Sequence, residues 1–329
     1  MINDLTVGSV PKQLIRFAVP FVLANALQFL YNIVDMIIVG QFVGPSGLSA
    51  VSIGGEFMHF FTFLAVGFAQ AGMVVLAQYI GAGQRQSISL VIGNMFSFIL
   101  GLSLVVTLIS VLFADRFAVL MNTPTESFQE AVDYCIVCGG GMFFVYGYNI
   151  VSHVMRGLGD SKRPLYFVAV SAVMNLILDL IFVARFRMGA RGAALATVIG
   201  QSFSFLVSMV YLYCQREAFG FDFKLQSYRP DKKILLTMIK LGIPICLQNT
   251  AISISMMYVT ACINTYGVIY SAVTGVSSKI AQLCNIVTAS LNAAGATMVG
   301  QNFGAGKLDR VKRSLWVTLA MSVGYTLFT

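Results

Sequence analysis

Long apolar runs separated by short polar segments dominate the chain. A membrane-spanning helix needs about 20 mainly apolar residues, and eight such runs can be traced, with a ninth beginning near residue 311. This pattern predicts an all-α polytopic membrane protein. The predicted spans are residues 13–40, 49–80, 88–113, 131–156, 163–184, 191–214, 234–266 and 270–302.

The composition agrees with a location in the bilayer. Hydrophobic residues make up 57% of the 329 residues and charged residues only 10%, whereas soluble domains carry about 25% charged residues. These values exclude a disordered chain and a nucleic-acid-binding domain, despite the net charge of +8. Six cysteines are too few for a disulfide scaffold, and the polar first twelve residues do not predict a cleaved signal peptide.

The distribution of Lys and Arg predicts the orientation, because positively charged loops stay cytoplasmic. With these spans, sixteen of the 21 basic residues fall on one side, four on the other, and Lys279 lies inside a span. The amino-terminal segment, with Lys12 and Arg16, belongs to the side that has more basic residues. The amino terminus is therefore predicted to be cytoplasmic, in the inner (plasma) membrane of the cell, and the net charge is mostly an orientation signal.

An internal repeat is visible in two places. The segment 15–20, which ends in Pro20, matches segment 239–244, which ends in Pro244, at an offset of 224. The segment Gln78–Gly83 matches Gln301–Gly306 at an offset of 223. Because six spans separate the copies, both enter the membrane in the same direction. The sequence predicts two parallel six-helix repeats with a cleft between them.

The repeat also predicts domain boundaries. We expect a first six-helix lobe at 1–214, a cytoplasmic linker at 215–233 and a second lobe at 234–329. Two units of 223 residues need 446 residues, so we expect this second lobe to be incomplete, with helices seven and eight and the start of nine.

Ionisable groups inside spans are costly and indicate functional sites. Of thirteen acidic residues, only Asp35, Glu56 and Asp179 fall well inside apolar runs. In the first span, Gln28, Tyr31 and Asp35 share one helix face, because they are spaced by three and four residues.

The fifth and sixth spans add further oxygen ligands. Asn175 precedes Asp179 by four residues, and Thr197 lies among small residues that allow close helix approach. An amide, a hydroxyl and two carboxylates suit Na⁺, so the predicted metal site is Na⁺ at Asp35, Asn175, Asp179 and Thr197. Two nearby carboxylates suit a proton equally well, because burial and mutual repulsion favour a protonated form.

Glu56 and Lys279 form a second candidate pair. They fall near equivalent positions of the two repeats. We hypothesise that the two opposite charges meet across the cleft in one transport state. In the alternative interpretation, each charge faces water independently.

Several motifs together resemble the multidrug and toxic compound extrusion (MATE) family, in a branch similar to DNA-damage-inducible protein F. They are the paired openings at Pro20 and Pro244, the turn 43–51, the two Gln-x-x-Gly-Ala-Gly ends, and the Arg-Gly-x-Gly-Asp-x-x-x-Pro loop at 156–164. The resemblance implies a twelve-helix antiporter that exports amphipathic, often cationic compounds in exchange for H⁺ or Na⁺.

The resemblance also assigns residues. It implies that Asp35, Asn175, Asp179 and Thr197 bind the coupling cation. It further implies that Pro20, Gln28 and Tyr31 line the same pocket. The second branch of the family has an acidic residue in the seventh helix, whereas span 234–266 contains none.

The resulting expectation is a monomeric transporter, without cofactor or enzymatic activity, whose partners are small-molecule substrates and the bilayer. A lipid-linked saccharide flippase is the alternative, although its anionic substrate should need several arginines in the cavity. A membrane-bound prenyl transferase is a weaker alternative, because the spans lack its aspartate-rich motif. Cys135 and Cys138 form an isolated Cys-x-x-Cys, which is predicted to be core packing.

Overall fold

The computed structural model describes residues 4–264 and 268–328, apart from the side chains of 257, 260, 261, 264, 268–276, 278 and 279. Over these ranges the chain is helical and contains no β-strand. A π-helical turn, Leu180–Arg185, extends α7, and a 3₁₀ turn, Leu225–Tyr228, precedes α10. The α-helices are α1 (Val10–Phe42), α2 (Pro45–Gly81), α3 (Arg85–Leu112), α4 (Ala114–Leu120), α5 (Phe128–Gly140), α6 (Met142–Gly157), α7 (Lys162–Asp179), α8 (Gly189–Cys214), α9 (Arg216–Phe219), α10 (Lys232–Asn264), α11 (Val268–Gly304) and α12 (Leu308–Thr326).

The helices account for the predicted spans. Seven described helices are long and apolar enough to cross a membrane, and an eighth crossing results if the bent pair α5 and α6 forms one span. Their outer faces expose aliphatic side chains such as Leu104, Leu108 and Leu112 of α3. Such an apolar outer surface is expected to contact the acyl chains of the lipid bilayer. The predicted all-α membrane architecture is confirmed.

The fourth predicted span, 131–156, differs from a straight helix. Its two halves, α5 and α6, are bent by 49° at Gly141, which follows Gly139 and Gly140. A Cβ atom on Gly141 would press into the side chain of Val198 on α8. The glycines therefore allow both the change of direction and the close approach of α8. The hydrophobic pattern did not predict the short helix α4 that lies before this bend.

The internal repeat is present in the helix bounds. Helices α1 and α10 each have 33 residues and continue through Pro20 and Pro244. Helices α2 and α11 each have 37 residues and begin and end 223 positions apart. Helices α3 and α12 also begin 223 positions apart, at Arg85 and Leu308. Over the described helices, the second half thus reproduces the first three long helices of the first half.

The two halves meet along α2, which packs against both α10 and α11. At their carboxyl ends α2 and α11 cross with their backbones in contact. A Cβ atom on Gly81 would overlap the carbonyl oxygen of Gln301, and one on Gly304 would overlap the carbonyl oxygen of Gln78. We call this contact the glycine crossing. Each glycine packs against the residue that opens the matching motif of the other half.

Candidate functional site

Two buried carboxyl groups form the centre of the candidate site. Asp35 lies on α1 and Asp179 is the last residue of α7, and their side chains lie close to each other. Asp179 is fully buried and Asp35 is 7% exposed. Among the described residues, no group donates a hydrogen bond to Asp35 Oδ1 or to either oxygen of Asp179. Because a buried charge needs a partner, this pair requires a proton or a metal cation.

The backbone around Asp179 is irregular. The α-helix ends at Asp179, and the next six residues form the π-helical turn Leu180–Arg185. Such wide turns are rare and often occur at functional sites. The turn places Asp179 at a change of helical geometry, where the backbone can adjust more easily than inside a regular helix.

Asn175 and Thr197 extend the carboxyl pair towards α8. The Asn175 side-chain amide donates a hydrogen bond to Thr197 Oγ1 at 3.4 Å. The two helices approach closely at Gly200, where a Cβ atom would lie 3.2 Å from the carbonyl oxygen of Ser171. The structure therefore brings together all four predicted cation-site residues, which lie on α1, α7 and α8.

Tyr134 of α5 is a site residue that the sequence analysis missed. Its buried side chain lies close to Thr197, to the Cys138 thiol and to Asp35. The ring fits against Gly54 of α2, where a Cβ atom would overlap it. Cys138 is thus a neighbour of the acidic pair rather than part of a Cys-x-x-Cys metal site.

A narrow polar pocket continues from Asp35 along α1. Gln28 and Tyr31, which share one face of α1, line it together with Gln201 of α8. Tyr148, Val168, Ser171 and Ser204 complete the lining. These side chains are neutral, and most of them can both donate and accept hydrogen bonds. The pocket is closed in this conformation, with no space for a water molecule, so a polar ligand could bind there only after it opens.

The remaining predicted residues lie elsewhere. Pro20 is buried on α1, about 12 Å along the helix from Gln28 by helical rise, and it is not among the residues lining the pocket. Glu56 of α2 is exposed. The side chain of Lys279 lies outside the described residues, so the hypothesised pairing with Glu56 stays a prediction.

The donor set suits a monovalent cation or a proton. No three His, Cys, Asp or Glu side chains cluster anywhere in the described ranges, as a transition-metal site would require. The site instead offers two carboxylates, one amide oxygen and hydroxyl oxygens. These hard oxygen ligands contain too few charges for a tightly bound divalent ion.

Comparison with known proteins gives matches over nearly the whole chain. The MatE family model matches residues 20–181 and 244–329, so its two segments begin at Pro20 and Pro244. The probable multidrug resistance protein YpnP of Bacillus subtilis (strain 168) is 31% identical over 94% of this chain and 68% of its own length. The multidrug export protein MepA of Staphylococcus aureus (strain MSSA476) is 23% identical over 95% of this chain and 68% of its own length.

Solved structures have the same fold. A MOP superfamily transporter from Pyrococcus furiosus superposes with a TM-score of 0.90 at 24% identity, covering 98% of this chain and 72% of that chain. A multidrug resistance MATE family transporter in an outward-facing conformation gives a TM-score of 0.89 at 24% identity, over 98% of this chain and 71% of that one.

Proposed function

Because the chain belongs to the MatE family of multidrug efflux transporters, we propose that it is a secondary active antiporter. It exports amphipathic, cationic compounds in exchange for H⁺ or Na⁺. The observation that carries this proposal is the buried pair Asp35 and Asp179, three of whose four carboxylate oxygens lack a donor among the described residues. We further propose that it acts as a monomer in the inner membrane, with a cytoplasmic amino terminus and no enzymatic activity.

Coupling can follow from the position of α1. This helix packs against α7 within its own half and against α11 of the other half. When a cation or proton binds, the repulsion between Asp35 and Asp179 ends and the two helices can approach. Gln28 and Tyr31 lie on the same face of α1 as Asp35. A movement of α1 therefore changes the polar pocket and the contact with α11 together.

The polar pocket disfavours the flippase alternative. A lipid-linked pyrophosphate carries a concentrated negative charge, which proteins usually bind with arginine or lysine. The pocket lining contains neither, and the acidic side chain of Asp35 lies close to Tyr31 of the lining. This electrostatic environment favours cationic compounds.

Dye efflux from proteoliposomes under imposed gradients tests the proposal. Vesicles that contain the full chain are loaded with a cationic dye, and a proton gradient or a sodium gradient is imposed separately. We expect export with at least one of these gradients and none with ATP alone. Export that is independent of both gradients would refute antiport. Translocation of a lipid-linked saccharide under the same conditions would favour the flippase.

A further inference from the structure

The segment before α1, residues 4–9, is bound by the other half of the molecule. Arg310 of α12 reaches across and donates hydrogen bonds to three backbone carbonyls of this segment, those of Leu5, Val7 and Gly8, at 3.1, 3.3 and 2.6 Å. It also donates to the side-chain oxygen of Gln13, at 3.2 Å. One guanidinium group thus holds the lead-in to α1 against α12.

Neighbouring side chains complete the attachment. Lys307 donates to the carbonyl and hydroxyl oxygens of Thr6 at 2.9 and 3.1 Å. Asn302 donates to the carbonyl of Leu5 at 3.3 Å, and its own oxygen accepts from Arg310 Nε at 3.0 Å. The carbonyls of residues 5–8 are therefore all bound by one corner of the second half.

The same corner also contacts the body of the first half. Gln301 accepts a hydrogen bond from the backbone nitrogen of Leu5 at 2.9 Å and donates one to the carbonyl of Gly157, at the end of α6, at 3.3 Å. Gln301 also belongs to the glycine crossing. The attached segment thus lies directly beside the point where the backbones of the two halves touch.

A second lead-in segment, residues 221–231 before α10, is bound in the equivalent way by α3. Ser97 donates to the carbonyl of Tyr228 at 2.7 Å, and Asn94 donates to the carbonyl of Arg229 at 3.2 Å. Each lead-in segment is therefore bound by side chains of the opposite half. The segment 221–231 joins the two halves covalently as well, whereas residues 4–9 are joined to the second half by these hydrogen bonds and by buried Leu5, which shares a hydrophobic cluster with Leu291 and Met298 of α11.

We propose that residues 4–9 are a latch, which holds the two halves together on the side predicted to be cytoplasmic, and that Arg310 must release them before the protein opens to that side. This proposal rests on the transport function proposed above. The covalent segment 221–231 can act as a hinge, but only the hydrogen-bonded segment can detach. Lys307 is exposed and Arg310 partly so, which allows water to replace their hydrogen bonds during opening.

A reporter thiol between the halves tests the latch. Thr297 is fully buried, and its hydroxyl lies 3.5 Å from Met73 Sδ of the other half. In the full chain carrying Thr297→Cys, labelling by a membrane-impermeant maleimide is followed by peptide mass spectrometry. We expect Arg310→Ala to increase the labelling rate on the order of tenfold, since several charge-assisted hydrogen bonds are lost. We expect a smaller increase for Arg310→Lys, which retains the charge but loses the fork of donors.

Two controls make the result decisive. Arg313 is exposed on the same helix and makes no hydrogen bond or ion pair to any described residue, so Arg313→Ala should leave labelling unchanged. Cys135 is fully buried inside the first half and reports global unfolding. An unchanged reporter rate in Arg310→Ala would overturn the latch. A rate that rises only together with that of Cys135 would also overturn it, because Arg310 would then be purely structural.

The labelling assay needs no gradient or substrate. If the wild-type chain exports no dye but the labelling responds as expected, the antiport proposal fails and the conformational latch stands. If the chain exports dye but the labelling does not respond, only the latch fails.

Discussion

The acidic pair is a buried polar cluster and the latch a partly exposed one, and their hydrogen bonds are satisfied to opposite degrees. At the acidic pair, three carboxylate oxygens of Asp35 and Asp179 have no donor among the described residues. At the latch, the side chains of Asn302, Lys307 and Arg310 have acceptors, most of them backbone carbonyls. Both clusters join different helices, but only the latch has its hydrogen bonds satisfied by the protein alone.

The difference indicates which of the two clusters is suited to bind a ligand. An unsatisfied buried polar group costs free energy until a partner binds it. Binding of a cation or proton therefore stabilises the acidic pair. A satisfied network stabilises the conformation in which it forms. The first arrangement suits a binding site and the second suits a conformational contact.

The largest expected effect is at the acidic pair. Asp179→Asn places an amide donor next to Asp35 and removes the need for a cation. We expect dye export to fall to the rate of vesicles without protein, while the melting temperature stays the same or rises, because a buried charge has been removed. The comparison variant is Asp115→Asn, which changes an exposed acid on α4. Wild-type export by the Asp179 variant would contradict a coupling role.

The second effect concerns the glycine crossing beside the latch. Gly81→Ala forces a methyl group into the carbonyl of Gln301, and we expect a loss of about 3 kcal/mol in the free energy of unfolding, typical of overpacking. The melting temperature in detergent reports this loss. Gly55→Ala on the same helix meets no atom within 4 Å, so it should not destabilise the protein. Equal stability of the two variants would show that the crossing is not tightly packed.

A smaller effect is expected at Thr197. It tests whether neutral oxygens near the acidic pair also bind the coupling ion. Thr197→Val keeps the shape of the side chain but removes the hydroxyl that accepts from Asn175. We expect the apparent affinity for the coupling ion to fall about tenfold, equivalent to roughly 1.4 kcal/mol, with little change in melting temperature. Thr197→Ser should restore most of this affinity. Loss of stability without loss of ion affinity would indicate a purely structural hydroxyl.

The smallest effect is expected in segment 221–231, which joins the two halves. Hydrogen bonds from Ser89 and then Ser227 lower the pKa of Asp222 from 3.8 to about 2. A lowered folded-state pKa stabilises the fold above the unfolded value, and this contribution is lost as the pH falls through the folded value. We therefore expect Asp222→Asn to be slightly less stable than wild type at pH 6. The difference should disappear between about pH 4 and pH 2, and thermal melts across this range measure it. A difference that is independent of pH would assign the effect to packing.

The helices, the repeat and the acidic pair could be predicted from the sequence because each leaves a local pattern. Apolar runs of membrane length are conspicuous, and so is a carboxylate such as Asp35 inside one of them. Tyr134 could not be found in this way, because a tyrosine in an apolar helix looks like ordinary packing. Its place in the site depends on its position close to Thr197, 63 positions further along the chain.

The latch left no recognisable pattern for a different reason. Its acceptors are backbone carbonyls, which every residue carries, and its donors Lys307 and Arg310 look like ordinary cytoplasmic charges in the sequence. The contacts also join residues about 300 positions apart. The repeat predicted that the two halves resemble each other, but it did not predict how they touch.

The glycine crossing has a consequence for the ancestry of the chain. Gly81 contacts Gln301 while Gly304 contacts Gln78. Equivalent surfaces of the two halves therefore contact each other reciprocally. This reciprocity defines the interface of a two-fold symmetric homodimer. Equivalent residues Ala77 and Gly300 face each other beside it, where a symmetry axis would pass. The two halves meet as identical subunits would meet, as expected if the gene arose by fusion of two copies of a helical protein that already paired with itself.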